Sequence, residues 1–454
     1  MLIVFFILSG CKKDTDKKEY KNQVANADLL HSCADQLTDV IIFDVFKPSV
    51  ASRIYAYSYL AAYETLKNEH LSYPTFAARL NDFNPVPPPL EGQEYCFSLA
   101  SLKAFVTVGK TLTFSKDMWD KYEPGFFKRF KEMGVPEDVY NRSVEYGEKV
   151  ALHIIDYSNK DGYKNTRGVR FTLGEKPGSW SPTPPTYAEA CEPKWNSIRT
   201  FTLDSCSQFA PPAPTVFDIN KNSEFYKLVK EVYNFSQNLT EEQKEIAYFW
   251  DDNAMVTNIK GHVSYAEKKM GPGSHWIQIT QAINEDQKLD FMQALETYTL
   301  VSFAVNDGFI ASWDVKYKTD RIRPVTIINN ILDNKWLPFL ETPPFPEYTS
   351  AHSTISAAAG TVLTYAFGEN YAFTDSTEFK YGHGVRSFTS FREAYWETSL
   401  SRVYGGIHFR DGIEQGTLQG EKIGAWIWRK FKNPEAKSIE QVVASSEKIS
   451  EKVK

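Results

Sequence analysis

Hydrophobic side chains recur at intervals of three and four residues over most of this chain, which is the spacing of one face of an α-helix. Similar periodicity extends from Ala25 to about Asn159 and resumes at Ser223. No stretch of comparable quality shows the alternation expected of a strand. The pattern therefore predicts an all-α protein made of packed helical bundles. The clearest stripe consists of Phe291, Leu295, Tyr298, Val301, Val305 and Phe309.

The helical pattern stops between residues 161 and 222, where glycine and proline become frequent. A long loop inside a compact chain is usually functional or disordered, and the many aromatic residues of this one favour a packed cover over the helices. We therefore assign residues 25–222 to an N-terminal helical scaffold with a packed, proline-rich loop. Residues 223–432 are assigned to a C-terminal helical bundle and residues 433–454 to a charged tail.

Short motifs predict where several helices begin and end. Thr240-Glu241-Glu242-Gln243 has the spacing of a capping box, so a helix should begin there. Gly368 is suited to end the helix that runs from Ser353. Glycines also recur at every fourth residue along one predicted helix and give it a smooth face for close packing: Gly412, Gly416, Gly420 and Gly424.

Composition limits the classes of function. Of the 454 residues, 42% are hydrophobic and 24% are charged, which is typical of a globular protein. The formal net charge of −6 speaks against a nucleic-acid-binding protein, because such proteins carry a broad basic surface. Any site for an anion must therefore be local.

Residues 1–11 form a short apolar run that ends in Leu8-Ser9-Gly10-Cys11. The run is too short to span a bilayer, and its ending resembles the lipobox of bacterial lipoproteins. That resemblance implies a lipoprotein signal, lipidation of Cys11, and a polar tether over residues 12–24. We expect an exported protein whose lipid anchor holds it to the cell envelope, at the outer membrane or the periplasmic face.

The remaining cysteines suit two disulfides in an exported chain, with three possible connectivities. Cys191 and Cys206 are the first choice for a pair, because both lie in the irregular segment. No Cys-x-x-Cys motif is present, so a zinc or redox motif is not indicated. The other two cysteines are Cys33 and Cys96.

Cationic and imidazole side chains gather in three short clusters between Lys316 and Asp411. Arginine offers a planar fork of donors that fits two oxygens at once, and lysine adds a movable point charge. These residue types together predict a pocket for a tetrahedral oxyanion such as phosphate or vanadate. The clusters read Lys316-x6-Arg323-Pro324, Ser350-Ala351-His352 and Ser401-Arg402-x5-His408.

The first two clusters fall at predicted helix junctions. Pro324 suits the first turn of a helix, so Arg323 should lie at its mouth, close to Lys316 at the end of the preceding helix. Ser350-Ala351-His352 precedes an alanine-rich helical run, and the free N–H groups of a helix N-terminus favour a bound anion. His352 is then placed to exchange protons with a group carried by that anion.

The third cluster needs a break in its helix. Gly405-Gly406 provides one, so that Arg402 and His408 can turn to the same pocket. Asp411, three residues after His408, is placed to orient its second ring nitrogen.

Acids followed by histidines invite a metal interpretation upstream of these clusters, around Asp251, Asp252, His262 and His275. The two histidines are thirteen residues apart across Gly-Pro-Gly and show no ligand spacing. We therefore do not predict a divalent-metal site there. No role is assigned to the isolated histidines, which are His31, His70, His153 and His383.

The order and spacing of the three clusters resemble a known signature. Lys-x6-Arg-Pro, Pro-Ser-Gly-His and Ser-Arg-x5-His-x3-Asp are shared by the vanadium-dependent haloperoxidases and the type-2 phosphatidic acid phosphatases. Residues 343–348 and 404–408 look more like the haloperoxidase branch. Thr349 and Ala351 replace the Pro and Gly of the second motif, and Asp411 comes one residue early. The matching positions are Lys316, Arg323, Pro324, Ser350, His352, Ser401, Arg402 and His408.

This resemblance implies helical bundles of the haloperoxidase type, with the active site in the C-terminal bundle. It implies vanadate as the cofactor, or phosphate in the same pocket. His408 would bond the vanadium, or attack phosphorus in a phosphatase, and His352 would act as acid and base. Phe345, at a position where chloride-oxidising relatives are similar, and Trp313 would support the pocket. The oxygens would be bound by the Ala351 N–H and by Lys316, Arg323, Ser350 and Arg402, of which Lys316 and Arg402 also serve catalysis.

Three functions are compatible with these residues. The first is a vanadate-dependent haloperoxidase that oxidises halide with hydrogen peroxide to hypohalous acid. The second is an acid phosphatase that hydrolyses phosphate esters through a phosphohistidine. The third is a surface lipoprotein that binds an oxyanion without catalysis. The intact set of cations and histidines favours an enzyme, and the haloperoxidase is the prediction.

Overall fold

The computed structural model describes residues 20–253 and 269–432, and it describes the backbone alone for residues 255–260 and 263–268. The prediction of an all-α fold is confirmed. The α-helices that lie wholly within the described part are α1 (Asp28–Phe43), α2 (Pro48–Leu66), α3 (Phe97–Leu112), α4 (Lys116–Glu132), α5 (Glu137–Asn159), α6 (Glu224–Gln237), α7 (Glu241–Phe249), α8 (Pro272–Asp286), α9 (Phe291–Thr319), α10 (Pro324–Ile331), α11 (Ala351–Phe367), α12 (Phe391–Tyr404) and α13 (Arg410–Phe431).

Two short antiparallel hairpins accompany the helices. Strands β1 (Met255–Lys260) and β2 (Val263–Lys268) form the first, and β3 (Phe373–Asp375) pairs with β4 (Arg386–Phe388) in the second. Three paired residues on each strand of the second hairpin are too few to give a readable two-residue period. The helical character of the chain is unchanged by them.

Helix α9 is the centre of the molecule. Nearly every side chain from Phe291 to Lys316 is buried, because the helix packs against α2 on one side and α11 on another. A helix that is buried all round needs partners on every face, and here both halves of the chain supply them. Asp290 and Gln293 close its N-terminus as a capping box. Its last turn carries Lys316 toward the candidate site.

The proline-rich segment packs over these helices. Trp180 and Trp195 are buried. Asp307 of α9 accepts hydrogen bonds from the backbone N–H groups of Phe201 at 2.8 Å and Thr202 at 2.7 Å. These bonds hold irregular backbone against a helix that carries site residues.

The glycine face of α13 packs against α11 as predicted. A Cβ at Gly420 would overlap the carbonyl oxygen of Thr354, and a Cβ at Gly416 would lie 2.8 Å from the carbonyl oxygen of Ser350. The two helix backbones therefore approach more closely than any side chain would allow. This contact fixes the N-terminus of α11 against the start of α13.

The predicted disulfides are wrong, because all four described cysteines are free thiols. Each thiol has different neighbours. Cys33 is 3.6 Å from the hydroxyl of Tyr122, and Cys206 interacts with the carboxylate of Asp314. Cys191 is buried, which raises the pKa of its thiol, and the charge of Lys47 acts in the opposite direction. Proximity in the sequence therefore did not bring Cys191 and Cys206 together.

The boundary predicted between residues 222 and 223 stays a prediction. The largest apolar cluster runs from Tyr20 to Phe431 and draws side chains from both sides of that boundary. Residues 1–19, which include Cys11, and residues 433–454 lie outside the described residues. The described end of the predicted polar tether is not a tether, because Tyr20 and Val24 are buried in this cluster. Within the described part, no helix combines the length and apolar character needed to cross a membrane.

Candidate active site

Lys316 reaches the site from the last turn of α9. Its ammonium donates to the carbonyl oxygens of Pro346 at 3.1 Å and Glu347 at 3.0 Å. The side chain is fully buried, and burial together with the charge of Arg323 holds the pKa of Lys316 well below its ordinary value. An anion beside it would favour the charged form.

Arg323 lies at the N-cap of α10, immediately before Pro324, as predicted. Its Nε donates to the carbonyl of Phe345 at 2.8 Å, and its Nη1 donates to the carbonyl of Ile407 at 2.7 Å. Burial lowers the pKa of Arg323 to about 9. The guanidinium is therefore held rigidly by backbone carbonyls while most of its charge is left without a close counter-ion.

Ser350 forms the N-cap of α11. Its Oγ accepts from the N–H of Ser353 at 3.3 Å, and its own N–H donates to Gly412 at 2.9 Å. Ala351 is the first residue of the helix, which means that Ala in place of Gly needs no unusual backbone conformation here. The positive end of the α11 dipole points into the site.

Arg402 lies in the last turn of α12 and is 1% exposed. Its Nε donates to the hydroxyl of Ser401 at 2.9 Å. Its Nη2 donates to the carbonyl of Trp250, and its Nη1 lies 3.3 Å from the carbonyl of Asp251. Burial lowers the pKa of Arg402, although the Asp251 carboxylate opposes this. The segment after α7 thus holds the third cation of the site.

His408 follows the Gly405-Gly406 break between α12 and α13. Its Nδ1 lies 2.7 Å from Oε1 of Glu347, and its Nε2 lies 3.2 Å from Nη1 of Arg323. Because Arg323 can only donate, Nε2 must be the nitrogen without a proton, and Nδ1–H donates to Glu347. Burial, followed by the charge of Arg323, keeps the pKa of His408 well below its ordinary value. A neutral ring therefore turns its unprotonated Nε2 toward Arg323.

The prediction that Asp411 orients His408 is wrong. Asp411 accepts from Arg321 at 2.7 Å and from the N–H of Thr215 at 3.1 Å. The signature has its acid one residue later, where this chain has Gly412, and a Cβ at Gly412 would overlap the Glu347 carboxylate. The missing side chain leaves room for Glu347, which takes over the contact with His408.

His352 occupies the second position of α11, and part of this residue remains exposed to solvent. Its Nε2 lies 3.5 Å from Nη1 of Arg402. Burial and the charge of Arg402 hold the pKa of His352 well below its ordinary value. The ring is thus neutral at neutral pH and can accept a proton within the site.

Phe345 and Trp313 form the aromatic side of the site. The Phe345 ring centroid lies 5.0 Å from Nζ of Lys316 and 5.0 Å from Cζ of Arg323. Trp313 packs against Phe345 at 5.0 Å between ring centroids and donates from Nε1 to the carbonyl of Cys191 at 3.2 Å. The structure therefore brings Phe345 to the two cations and packs Trp313 against Phe345.

A buried donor in this site lacks an acceptor. Nη2 of Arg323 has no hydrogen-bond partner among the described residues. A buried guanidinium with an unpaired donor costs free energy unless an anion completes it. The carboxylate that acts on Lys316 and Arg323 is Glu347, which is already paired with Arg321. The residues present therefore fit an oxyanion bounded by cations, the α11 N-terminus and Nε2 of His408.

The chain is similar to two kinds of solved bacterial enzyme. It is 39% identical to the protein in a crystal structure described as that of the first bacterial vanadium-dependent iodoperoxidase, and it aligns over 89% of this chain and 97% of that one with a TM-score of 0.84. This chain belongs to the vanadium-dependent haloperoxidases. Enzymes of this family use vanadate to oxidise halides with hydrogen peroxide, as the resemblance of the three clusters to the family signature implied.

Further comparisons agree with the fold of a vanadium-dependent haloperoxidase. A holo-type bacterial vanadium-dependent chloroperoxidase is 16% identical, with a TM-score of 0.64 over 88% of this chain and 94% of that one. Residues 329–435 match the model of the second helical-bundle domain of the vanadium chloroperoxidases. No curated protein sequence matches this chain.

Sequence reasoning missed two parts of the neighbourhood of the site. Glu347 lies three residues before Ser350 inside a recognised motif, and the glycine at position 412 was the signal that could have identified it. His275 is the second. It lies between Asp252 and Asp375, at 2.9 Å from each carboxylate, although their positions in the sequence gave no ligand spacing. His262, the other histidine considered there, lies outside the described residues.

Proposed function

We propose that this haloperoxidase oxidises iodide with hydrogen peroxide, with vanadate held where the three clusters meet. The proposed location is supported by the unpaired Nη2 of Arg323, which lies beside the unprotonated Nε2 of His408. The choice of iodide is supported by the 39% identity to a named iodoperoxidase. Phe345 favours chloride instead, because chloride-oxidising relatives are similar at that position. The experiment below therefore compares the halides.

Three cations would bind the vanadate oxygens. Arg323 would contribute its unpaired Nη2, Arg402 would approach from α12, and Lys316 would approach from α9. Ser350 and the N–H of Ala351 would complete the shell at the α11 N-terminus. The three cations and Ser350 are each less than 2% exposed, which strengthens their interaction with an anion because little water screens them.

His408 would bond the vanadium through Nε2. Glu347 fixes the ring orientation and the tautomer from the Nδ1 side, and a carboxylate on the far nitrogen makes an imidazole a better ligand. When bound, vanadate supplies the electrophilic centre at which peroxide becomes open to attack by halide. His352 would accept the proton of hydrogen peroxide and return it to the leaving oxygen.

The experiment compares halides on one purified protein. Iodide oxidation is followed as triiodide, and bromide and chloride oxidation are followed with an organic acceptor, each with and without vanadate. We expect vanadate-dependent oxidation of iodide and much slower reaction with bromide and chloride. Equal rates with bromide would overturn the assignment of iodide, and iodide oxidation that is independent of vanadate would overturn the role of the pocket.

Phosphate-ester hydrolysis is a second candidate, because a neutral buried imidazole backed by Glu347 is also suited to attack phosphorus. Hydrolysis of p-nitrophenyl phosphate without vanadate tests it. We expect weak hydrolysis that vanadate inhibits by occupying the same pocket. Fast hydrolysis together with an absence of halide oxidation would favour the phosphatase.

We also propose that Cys11 is lipidated and that the protein is anchored to the cell envelope. The support is the Leu8-Ser9-Gly10-Cys11 sequence followed by a polar stretch. Expression of the full chain in a bacterium fed labelled palmitate tests this. The label should be incorporated in the wild type and lost in Cys11→Ala. Equal labelling of both proteins would reject the proposal.

A further inference from the structure

A second buried cluster lies beside the oxyanion site and has the opposite charge. Asp252, His275 and Glu378 each bring a ligand atom to within 4.8 Å of the others. All three residues are buried, with exposures of 5%, 0% and 3%. Their oxygen and nitrogen donors converge from three separate parts of the chain, the end of α7, the first turn of α8 and the loop after β3. We propose that this cluster binds one divalent metal ion.

The contacts of His275 match those of a metal ligand. Its Nδ1 lies 2.9 Å from Oδ1 of Asp252. Two ligand atoms bonded to one ion at about 2.1 Å and at a right angle lie about 3 Å apart, so this pair can share a cation without rearrangement. The other nitrogen, Nε2, lies 2.9 Å from Oδ2 of Asp375.

Asp375 has the position of an outer carboxylate that orients a histidine ligand. Its Oδ1 accepts from the N–H and the hydroxyl of Thr377 at 2.9 Å and 2.7 Å. With Oδ1 committed, Oδ2 is held toward His275 Nε2. A histidine that binds a metal through one nitrogen usually donates its other N–H to a carboxylate in this way.

An unpaired oxygen of Glu378 is a second, independent observation that points to a bound cation. Its Oε1 is buried and has no hydrogen-bond partner among the described residues. A carboxylate oxygen that is out of water and unpaired costs free energy, and a cation at the centre of the cluster removes that cost. Asp252 and Glu378 would then neutralise the ion, while the ring proton of His275 at Nδ1 is released as the metal binds.

The donor set indicates the class of metal. Two carboxylates and one imidazole without a thiolate suit Mn²⁺ or Zn²⁺, whereas Ca²⁺ and Mg²⁺ prefer oxygen ligands alone. The site differs from the oxyanion pocket in every ligand. It is nevertheless close, because Asp252 directly follows Trp250 and Asp251, whose carbonyls accept from Arg402. An ion bound to Asp252 would hold that segment in place.

Metal content provides the test. The full chain is dialysed against a chelator, incubated with Mn²⁺ or Zn²⁺ alone, desalted, and measured by elemental analysis and thermal unfolding. We expect about one ion per chain and an increase of several degrees in Tm. Glu378→Gln, which keeps the shape of the side chain, should retain at least tenfold less metal and lose the increase in Tm.

His275→Gln should behave as Glu378→Gln does, and Asp286→Asn is the matched control. Asp286 is an exposed carboxylate at the end of α8 that accepts from the hydroxyl of Tyr371, so Asp286→Asn should leave the metal content and the metal-dependent increase in Tm unchanged. If wild type retains no more of either ion than Glu378→Gln, the proposal is overturned. Should His275→Gln fail to fold, Glu378→Gln decides alone.

Discussion

Two buried histidines in this molecule face a carboxylate at similar distances, and their pKa values shift in opposite directions. His408 lies 2.7 Å from Glu347, and its pKa falls because burial and the cations around it oppose a further charge. Burial also acts to lower the pKa of His275, but Asp252 and Asp375 outweigh it and raise that pKa well above the ordinary value. The charge of the neighbours therefore decides in which direction the pKa of each buried ring moves.

Replacing His408 should have the largest effect on the anion side of this comparison. His408→Ala removes the only proposed bond to vanadium, so we expect iodide oxidation to fall on the order of 10³-fold. Vanadate-dependent triiodide formation is the measurement. His153→Ala is the control, because His153 lies on α5 and contacts the carbonyl of Asn84. Near-normal activity of His408→Ala would show that His408 does not bond vanadium.

His352→Ala should separate turnover from binding. We expect kcat to fall about 10²-fold, because a positioned acid and base is lost. The affinity for vanadate should fall much less than in His408→Ala, since His352 is assigned a proton rather than a bond to vanadium. Titration of both variants with vanadate measures this. An equal loss of affinity in the two variants would contradict the roles given to them.

Glu347→Gln against Asp411→Asn tests which acid supports His408. Substituting an outer partner of a metal ligand costs about 10-fold to 100-fold in affinity or activity, and we expect this for Glu347→Gln. Asp411→Asn should change activity little, because Asp411 contacts Arg321 and Thr215 instead. The ratio of kcat/KM for the two variants is the measurement. If Asp411→Asn had the larger effect, the prediction from sequence would be restored.

The pH dependence of kcat/KM should show where the histidines titrate. A ring whose pKa is lowered from 6.5 stays neutral as the pH falls through 6.5 and gains its proton only at lower pH. Activity that needs neutral His352 and His408 should therefore persist through 6.5 and be lost below it. An acid limb centred at or above 6.5 would show that the cations do not act on these rings as the geometry requires.

The smallest expected effect concerns packing rather than charge. Gly420→Ala places a methyl group against the backbone of α11, and overpacking of this kind costs about 1 to 3 kcal/mol of unfolding free energy. Gly125→Ala in α4 is the matched control, because nothing lies within 4 Å of an added Cβ there. Chemical denaturation compares them. Equal stability of the two variants would mean that α11 and α13 are not held at their close approach.

Much of the fold was predictable because its signals are local. The periodicity of α9, the capping box at Thr240 and the glycines of α13 all act within a few residues of their own position. The cations and histidines of the site could be chosen from spacing and resemblance, and the structure brings those residues together.

What could not be predicted depends on contacts between distant residues. Glu347 reaches His408 only because α11 and α13 bring residues 61 positions apart together and Gly412 leaves space. His275 meets Asp375 across 100 positions. Four cysteines suggested disulfides by their number, but number says nothing of whether two thiols share a packing environment. Rules based on spacing along the sequence cannot predict contacts of this kind.

The burial of the oxyanion pocket has a consequence for selectivity. Lys316, Arg323 and Ser350 are fully buried, and His408 is 2% exposed. Peroxide and halide are small enough to enter such a space, whereas a bulky organic molecule has little room beside His408. The oxidised halogen must therefore leave before it reacts, and the intrinsic reactivity of the molecules outside determines the products. Regioselectivity and enantioselectivity are not expected of this enzyme.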